Sequence, residues 1–227
     1  MSGHLVVPSR SDGAAPTTNP ALCIAPVTTV EWYSHSDKRG VCMSVEVELK
    51  AVVREPAAVA ARLEGMCGPG REEIYRDTYY DGQGEELGRG DRELRVRTVV
   101  GSGGVRTVLT YKGPRLDGAS EAKPEYETEV ADAKAVDAIV RGLGYRPVIR
   151  FEKHCRNYAL RESGWDLLAT LVRVPELNGT FIEIEAVVAE GEVASALGAV
   201  RSALAGLGIH VGDLTTELYT EAVAKAR

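Results

Sequence analysis

Glu46, Glu48 and Lys50 stand two residues apart in the run 45–50, with Val45, Val47 and Leu49 between them. In an extended chain, residues two apart share a face, and each residue advances roughly 3.3 Å. Two carboxylates about 7 Å apart on one strand face can close on a single hard divalent cation. A lysine just beyond them can hold an anion that the cation also touches. Taken alone, such a strand fits better as the solvated outer face of an antiparallel strand. The pattern recurs, however. Glu125, Glu127 and Glu129 alternate along one stretch, and Glu183 and Glu185 along another. Arg95 and Arg97 alternate with Leu94, Val96 and Thr98, while Lys112, Lys123, Arg150, Lys153 and Arg156 mark further strands. Carboxylates facing a bank of lysine and arginine suit a polyphosphate carrying Mg²⁺ or Mn²⁺. The acids hold metal, the metal holds phosphate oxygens, and the bases hold the remaining oxygens. The competing reading is a set of exposed cross-strand ion pairs on a two-layer sheet.

Positioning these groups takes about eight strands. Alternation and turn signals predict strands over 45–50, 71–80, 93–99, 105–112, 125–130, 148–160, 165–174 and 180–186. Gly101, Ser102, Gly103 and Gly104 make a hairpin turn, and 85–91 reads as a polar loop. A helix is expected from Pro56 with Val59, Leu63 and Met66 on one face. Asp132 caps a second helix that Gly144 stops. A long helix covers 190–207, ended by Gly208, and a short one covers 216–224. Open sheets do not usually bury charge, whereas a closed barrel can if its interior is a wet channel. The expected fold is therefore α+β: an eight-stranded antiparallel β-barrel with a charged interior, its outward aliphatic face covered by helices.

The 227 residues are 44% hydrophobic and 26% charged, with a formal net charge of −6. Residues 1–44 balance three basic against three acidic groups, so the acidic excess belongs to the remainder. Such a surface argues against nucleic acid as a partner. No apolar run reaches the ~18 residues of a membrane span. Nor does the N-terminus read as a secretory signal, so a cytoplasmic location is expected. Cys23, Cys42, Cys67 and Cys155 contain no CxxC pair, which favours free thiols over a zinc site or a disulfide frame. Residues 1–43, rich in Ser, Thr, Pro and Gly, read as a flexible leader to a domain over 44–227. His4, His35 and His210 have no partner at ligand spacing, while His154 falls on a barrel strand. Tyr79, Tyr111 and Tyr158 offer rings for a base or for filling the barrel mouth.

Glu46-x-Glu48-x-Lys50 resembles the ExExK signature of the CYTH superfamily, the triphosphate tunnel metalloenzymes. The resemblance continues through Asp77-Thr78-Tyr79-Tyr80-Asp81, Leu94-Arg95-Val96-Arg97, Leu109 to Pro114, Lys123-x-Glu125-x-Glu127 and Phe181 to Glu185. It covers roughly 44–222 and is most similar to class IV adenylate cyclases. The resemblance implies a tunnel that binds a nucleoside triphosphate or another polyphosphate with Mg²⁺ or Mn²⁺, and a possible homodimer. It implies metal ligation by Glu46, Glu48, Glu125, Glu183 and Glu185. Phosphate binding would fall to Lys50, Arg95, Arg97, Lys112, Lys123, Lys153 and Arg156, and catalytic roles to Lys50, Arg97 and Glu127. The implied reaction converts ATP to cyclic AMP and pyrophosphate. The alternatives are a triphosphatase of inorganic or organic triphosphate, and a protein that binds such a ligand without turnover. Three positions depart from the family pattern. Lys123 replaces an arginine, Cys155 occupies a basic position, and Val172 stands where a carboxylate is usual. A one-residue shift of the 148–160 strand would instead send Arg150, His154 and Arg156 inward.

Overall fold

The structure, a computed structural model, describes residues 44–116 and 122–227. The flexible leader expected over 1–43 lies outside the described residues, as do Cys23 and Cys42. Eight antiparallel strands form the body: β1 (Ser44–Val53), β2 (Arg71–Asp81), β3 (Glu93–Gly101), β4 (Gly104–Lys112), β5 (Ala122–Val130), β6 (Arg146–Glu162), β7 (Trp165–Arg173) and β8 (Thr180–Ala189). They close into a barrel in the order β1, β5, β4, β3, β2, β6, β7, β8. Consecutive hairpins supply much of this order. Gly104, at φ 103°, lets β3 turn directly into β4.

Alternation decides which face each side chain takes. Val45, Val47, Ile182 and Ile184 point outward, yet none is exposed to solvent. They pack beneath α1 (Pro56–Cys67) and α4 (Val193–Gly206), with Leu63, Val200, Leu204, Tyr158 and Leu167 in the same core. A smaller cluster joins Tyr80 and Val96 to Val140 of α3 (Ala133–Gly142). Asp132 caps α3 as expected, accepting from the Lys134 and Ala135 amides at 2.8 and 3.1 Å. The hydrophobic core thus lies outside the barrel, which leaves the lumen to the other face of each strand.

Three segments differ from the sequence reading, the first being the helix expected over 190–207, which is a 3₁₀ turn (Glu190–Glu192) followed by α4. The loop expected over 85–91 contains a helical turn, α2 (Glu86–Arg89). Asp81 builds it by accepting from the Leu87 and Gly88 amides, each at 2.9 Å. The last helix, α5 (Tyr219–Ala226), begins three residues later than expected. The reason lies in β1, which pairs with β8 throughout but with β5 only over Val45, Glu46 and Val47. The segment before α5 adds to the far end of β1: Thr215 N donates to Lys50 O at 2.9 Å and Leu214 bridges Ala51. Among the described residues, no helix is long and apolar enough to cross a membrane. Cys67 and Cys155 are both free.

Candidate active site

The lumen collects the alternating charges. From β1 come Glu46, Glu48 and Lys50; from β8, Glu183 and Glu185, with Glu48 paired opposite Glu185 and Lys50 opposite Glu183. Carboxylate oxygens of Glu46, Glu48 and Glu185 all lie within 4.8 Å of one another. Three hard oxygen donors at that spacing match what a small divalent cation requires. The protonation of Glu48 and Glu185 agrees with this. Burial pushes the Glu48 carboxyl up to about 7, with Glu183 and Glu46 adding repulsion. Burial followed by Glu46 and Glu48 drives Glu185 well above the usual carboxylate range. Like charges gathered in a low-dielectric lumen disfavour ionisation, and a cation between them reverses that preference.

The other two expected metal ligands are engaged by lysines. Glu183 receives Lys153 Nζ at 3.1 and 3.3 Å. Burial would raise its carboxyl, but Lys153 and Lys50 outweigh burial and hold it low. Glu125 lies 3.9 Å from Lys112 Nζ, which also bonds Glu46. Burial and Glu46 push Glu125 up to about 7. Burial alone would weaken the Lys112 ammonium, yet Glu46, Glu125 and Glu48 raise it well above its ordinary value.

The two arginines line the wall across from the carboxylates. Arg95 of β3 is 8% exposed. Its Nη2 reaches Thr110 Oγ1 at 3.2 Å and Glu127 at 3.9 Å, and its Nε is buried with no hydrogen-bond partner. Arg97 is held by Asp77 through two bonds of 2.7 Å and lies 4.4 Å from the Tyr75 ring centre. Glu127 accepts from Thr110 Oγ1 at 2.8 Å. Lys123 sits at one mouth, bonded to Glu93 at 3.1 Å and to Asp91 at 3.0 Å. That mouth opens into a cavity of about 590 Å³ lined by Asp91, Arg115, Lys123, Thr215, Glu217 and Lys225.

The register of β6 is now fixed. Lys153, Cys155 and Asn157 face inward, whereas Arg150, His154 and Arg156 face outward. Arg156 therefore has no place among the lumen cations. It pairs on the outer surface with Glu64 at 3.0 Å and Glu72 at 2.7 Å. Strand alternation is the cause: Arg156 shares its face with Tyr158, which packs under α1 and α4. Cys155 and Val172 do occupy lumen positions, opposite one another. Together with Tyr75, Tyr79, Phe151 and Val99 they form an apolar patch that Tyr219 and Val223 of α5 complete. The interior is thus divided into a charged region and an aromatic one. Tyr79 stacks on Phe151 at 5.7 Å within that patch, while Tyr111 pairs with Tyr126 at 6.3 Å.

Sequence reasoning assigned no role to Asp77, Asp91, Glu93 or Tyr219, although each touches a lumen cation. Asp77 had a signal, since it precedes Tyr79 at the inward spacing. Tyr219 had none, because it reaches the lumen from a helix distant in sequence.

Fold and site together define an eight-stranded tunnel protein whose lumen sets a carboxylate cluster against lysines and arginines. The chain belongs to the CYTH domain family, whose profile matches residues 44–219. A relative from Methanocaldococcus jannaschii, named "Putative adenylate cyclase MJ0240", is 26% identical over 179 residues, 78% of this chain and 97% of its own. The structure of PH1819 from Pyrococcus horikoshii OT3 is similar at a TM-score of 0.70 and 28% identity, covering 80% of this chain and 99% of that one. A Hippeastrum protein, HpAC1, described as a putative adenylyl cyclase with a dominant triphosphatase activity, shares the fold at a TM-score of 0.54 and 16% identity. That match covers 82% of this chain and 97% of the other.

Proposed function

We propose that this protein is a divalent-metal-dependent enzyme that acts on the triphosphate group of a nucleotide, with Mg²⁺ or Mn²⁺ as the cation. The observation that carries the reading is the set of three convergent carboxylates, Glu46, Glu48 and Glu185, across the lumen from Arg95 with its unpartnered buried Nε. A cation held by those carboxylates would supply charge neutralisation at phosphate oxygens. The protein's own groups do the rest. Arg95 offers a planar donor fork to one phosphate, and Lys112 on β4 and Lys123 on β5 offer ammonium donors between it and the carboxylates. Arg97 keeps one guanidinium nitrogen beyond the two that Asp77 takes. Glu127, fixed by Thr110, stands beside Arg95 as the acceptor for the proton of an attacking hydroxyl.

In the adenylate-cyclase-like reaction, the ribose 3′ oxygen of ATP attacks the α-phosphorus. The bond from that phosphorus to the β-bridging oxygen breaks, and pyrophosphate leaves. Alignment and electrostatic stabilisation account for catalysis of such a step. The likeness to the M. jannaschii relative supports this outcome. A second reading, hydrolysis of a triphosphate by water, is favoured by the described mouth residues. They are charged residues, threonines and leucines, and the aromatic rings of the lumen belong to the apolar patch instead. The behaviour of HpAC1 supports the same alternative.

Incubating the purified protein with ATP and with tripolyphosphate, each with Mn²⁺ or Mg²⁺, separates the outcomes. Cyclic AMP and pyrophosphate establish the cyclase, and orthophosphate release establishes the hydrolase. Tight binding without product would leave a triphosphate sensor and remove the enzymatic reading.

A further inference from the structure

Of the two α5 side chains that close the apolar patch, Tyr219 is the polar one. Tyr219 is 7% exposed although it opens an eight-residue helix at the end of the chain. Two lumen cations approach its ring: Lys50 Nζ lies 4.4 Å and Lys153 Nζ 4.2 Å from the centroid. Phe181 meets the ring edge-on at 5.4 Å, and Phe151 lies at 6.4 Å. The segment leading to it is tied to β1, since Thr215 N donates to Lys50 O and Lys50 Nζ donates to the Glu217 carbonyl. The phenol is thus fixed against β1, β6 and β8 together.

Its hydroxyl is placed differently from the ring. The hydroxyl lies toward the Glu183 carboxylate without completing a hydrogen bond of ordinary geometry to it. A buried hydroxyl whose hydrogen bond is poorly made gains little from folding, and phenylalanine would fill the same space. The group is a phenol, protonated at neutral pH and able to donate. Glu183 lies beside the hydroxyl and the two lysines lie over the ring, so an acceptor oxygen of an anionic ligand drawn to those lysines would complete it.

Resting on the triphosphate reading above, we propose that Tyr219 is a substrate-contacting residue. Its hydroxyl donates to an oxygen of the bound triphosphate, and its ring sets the positions of Lys50 and Lys153. The tyrosine therefore belongs to the binding site and is not merely a stopper for the barrel end.

The test compares wild type with Tyr219→Phe in two measurements: thermal melting without ligand, and calorimetric binding of tripolyphosphate in the presence of Mn²⁺. The variant keeps the ring and its packing. Its melting temperature is expected to equal or exceed that of wild type. Its dissociation constant for tripolyphosphate is expected to rise about tenfold or more, as for loss of a hydrogen bond to a charged group. Mn²⁺ binding measured without tripolyphosphate should not change. A second variant, Tyr219→Leu, also removes the ring and should weaken tripolyphosphate binding further. Equal tripolyphosphate affinity in wild type and Tyr219→Phe would overturn the tyrosine's role and leave the tunnel reading standing. A wild-type protein that binds no tripolyphosphate at all would overturn both.

Discussion

Asp77 of β2 holds Arg97 of β3 by two hydrogen bonds of 2.7 Å, one to Nε and one to Nη2. The pair bridges strands at directly opposed positions and spends much of the arginine's donor fork inside the protein. Burial alone would raise the Asp77 carboxyl, but the Arg97 charge and its hydrogen bonds outweigh burial and hold it at about 2. The folded-state value lies below the unfolded one, so the resulting stability is present above the ordinary carboxylate range. It is lost as pH falls through about 2, and it amounts to something on the order of 2 kcal/mol. Asp77→Ala should cost about 3–5 kcal/mol at neutral pH, because it strands a buried guanidinium. Denaturant unfolding at pH 7 and over the acid range checks both points. The variant should lose less further stability than wild type between about pH 4 and pH 2.

The two faces of β6 give a direct contrast. Lys153 is 5% exposed and bonds the buried Glu183, whereas Arg156 makes its ion pairs on the outer surface. Arg156→Ala should change stability by no more than about 1 kcal/mol and leave tripolyphosphate binding unaltered. Lys153→Ala should destabilise by about 3–5 kcal/mol, because Glu183 is left buried without its partner. Denaturant melts and binding isotherms on the two variants measure this. Equal effects would contradict the inward placement of Lys153.

Arg95 makes few commitments within the protein: Thr110 at 3.2 Å, Glu127 at 3.9 Å and a free Nε. Its charge is therefore available to a ligand. Arg95→Ala should weaken triphosphate binding by about tenfold or more. Binding of the corresponding nucleoside should change little. Competition binding with ATP and adenosine reads the difference, and equal losses for the two would argue against a phosphate contact.

Much of this arrangement was legible in the sequence because strand alternation has a period of two. Once Glu46, Arg95, Lys112, Glu125 and Glu183 fall on charged faces opposite aliphatic ones, a closed barrel with an external core follows. The observed pairing of Glu48 with Glu185 agrees with it. What alternation does not fix is absolute register in a strand with cations on both faces. Arg156 and Lys153 differ by three positions, so only one of them can be inward, and packing of Tyr158 beneath the helices decides which. Contacts between distant segments were equally silent. Asp81 building α2, and Tyr219 reaching Lys50 and Lys153 from α5, depend on how the chain returns on itself. The division of the lumen by Cys155, Val172 and Phe151 emerged only when neighbouring strands were aligned. Against the family pattern Val172 stands where a carboxylate is usual, and the structure shows the apolar patch that surrounds it.

Convergence of Glu46, Glu48 and Glu185 on one cation, with the triphosphate held between that cation and Arg95, is tested most directly by one binding measurement. Tripolyphosphate is titrated calorimetrically into wild type and into the Glu46→Gln/Glu48→Gln double variant, with and without Mn²⁺. Wild type should bind far more tightly with Mn²⁺ than without it, and the double variant, while still folded, should lose that dependence. Undiminished Mn²⁺-dependent binding in the double variant would contradict the account.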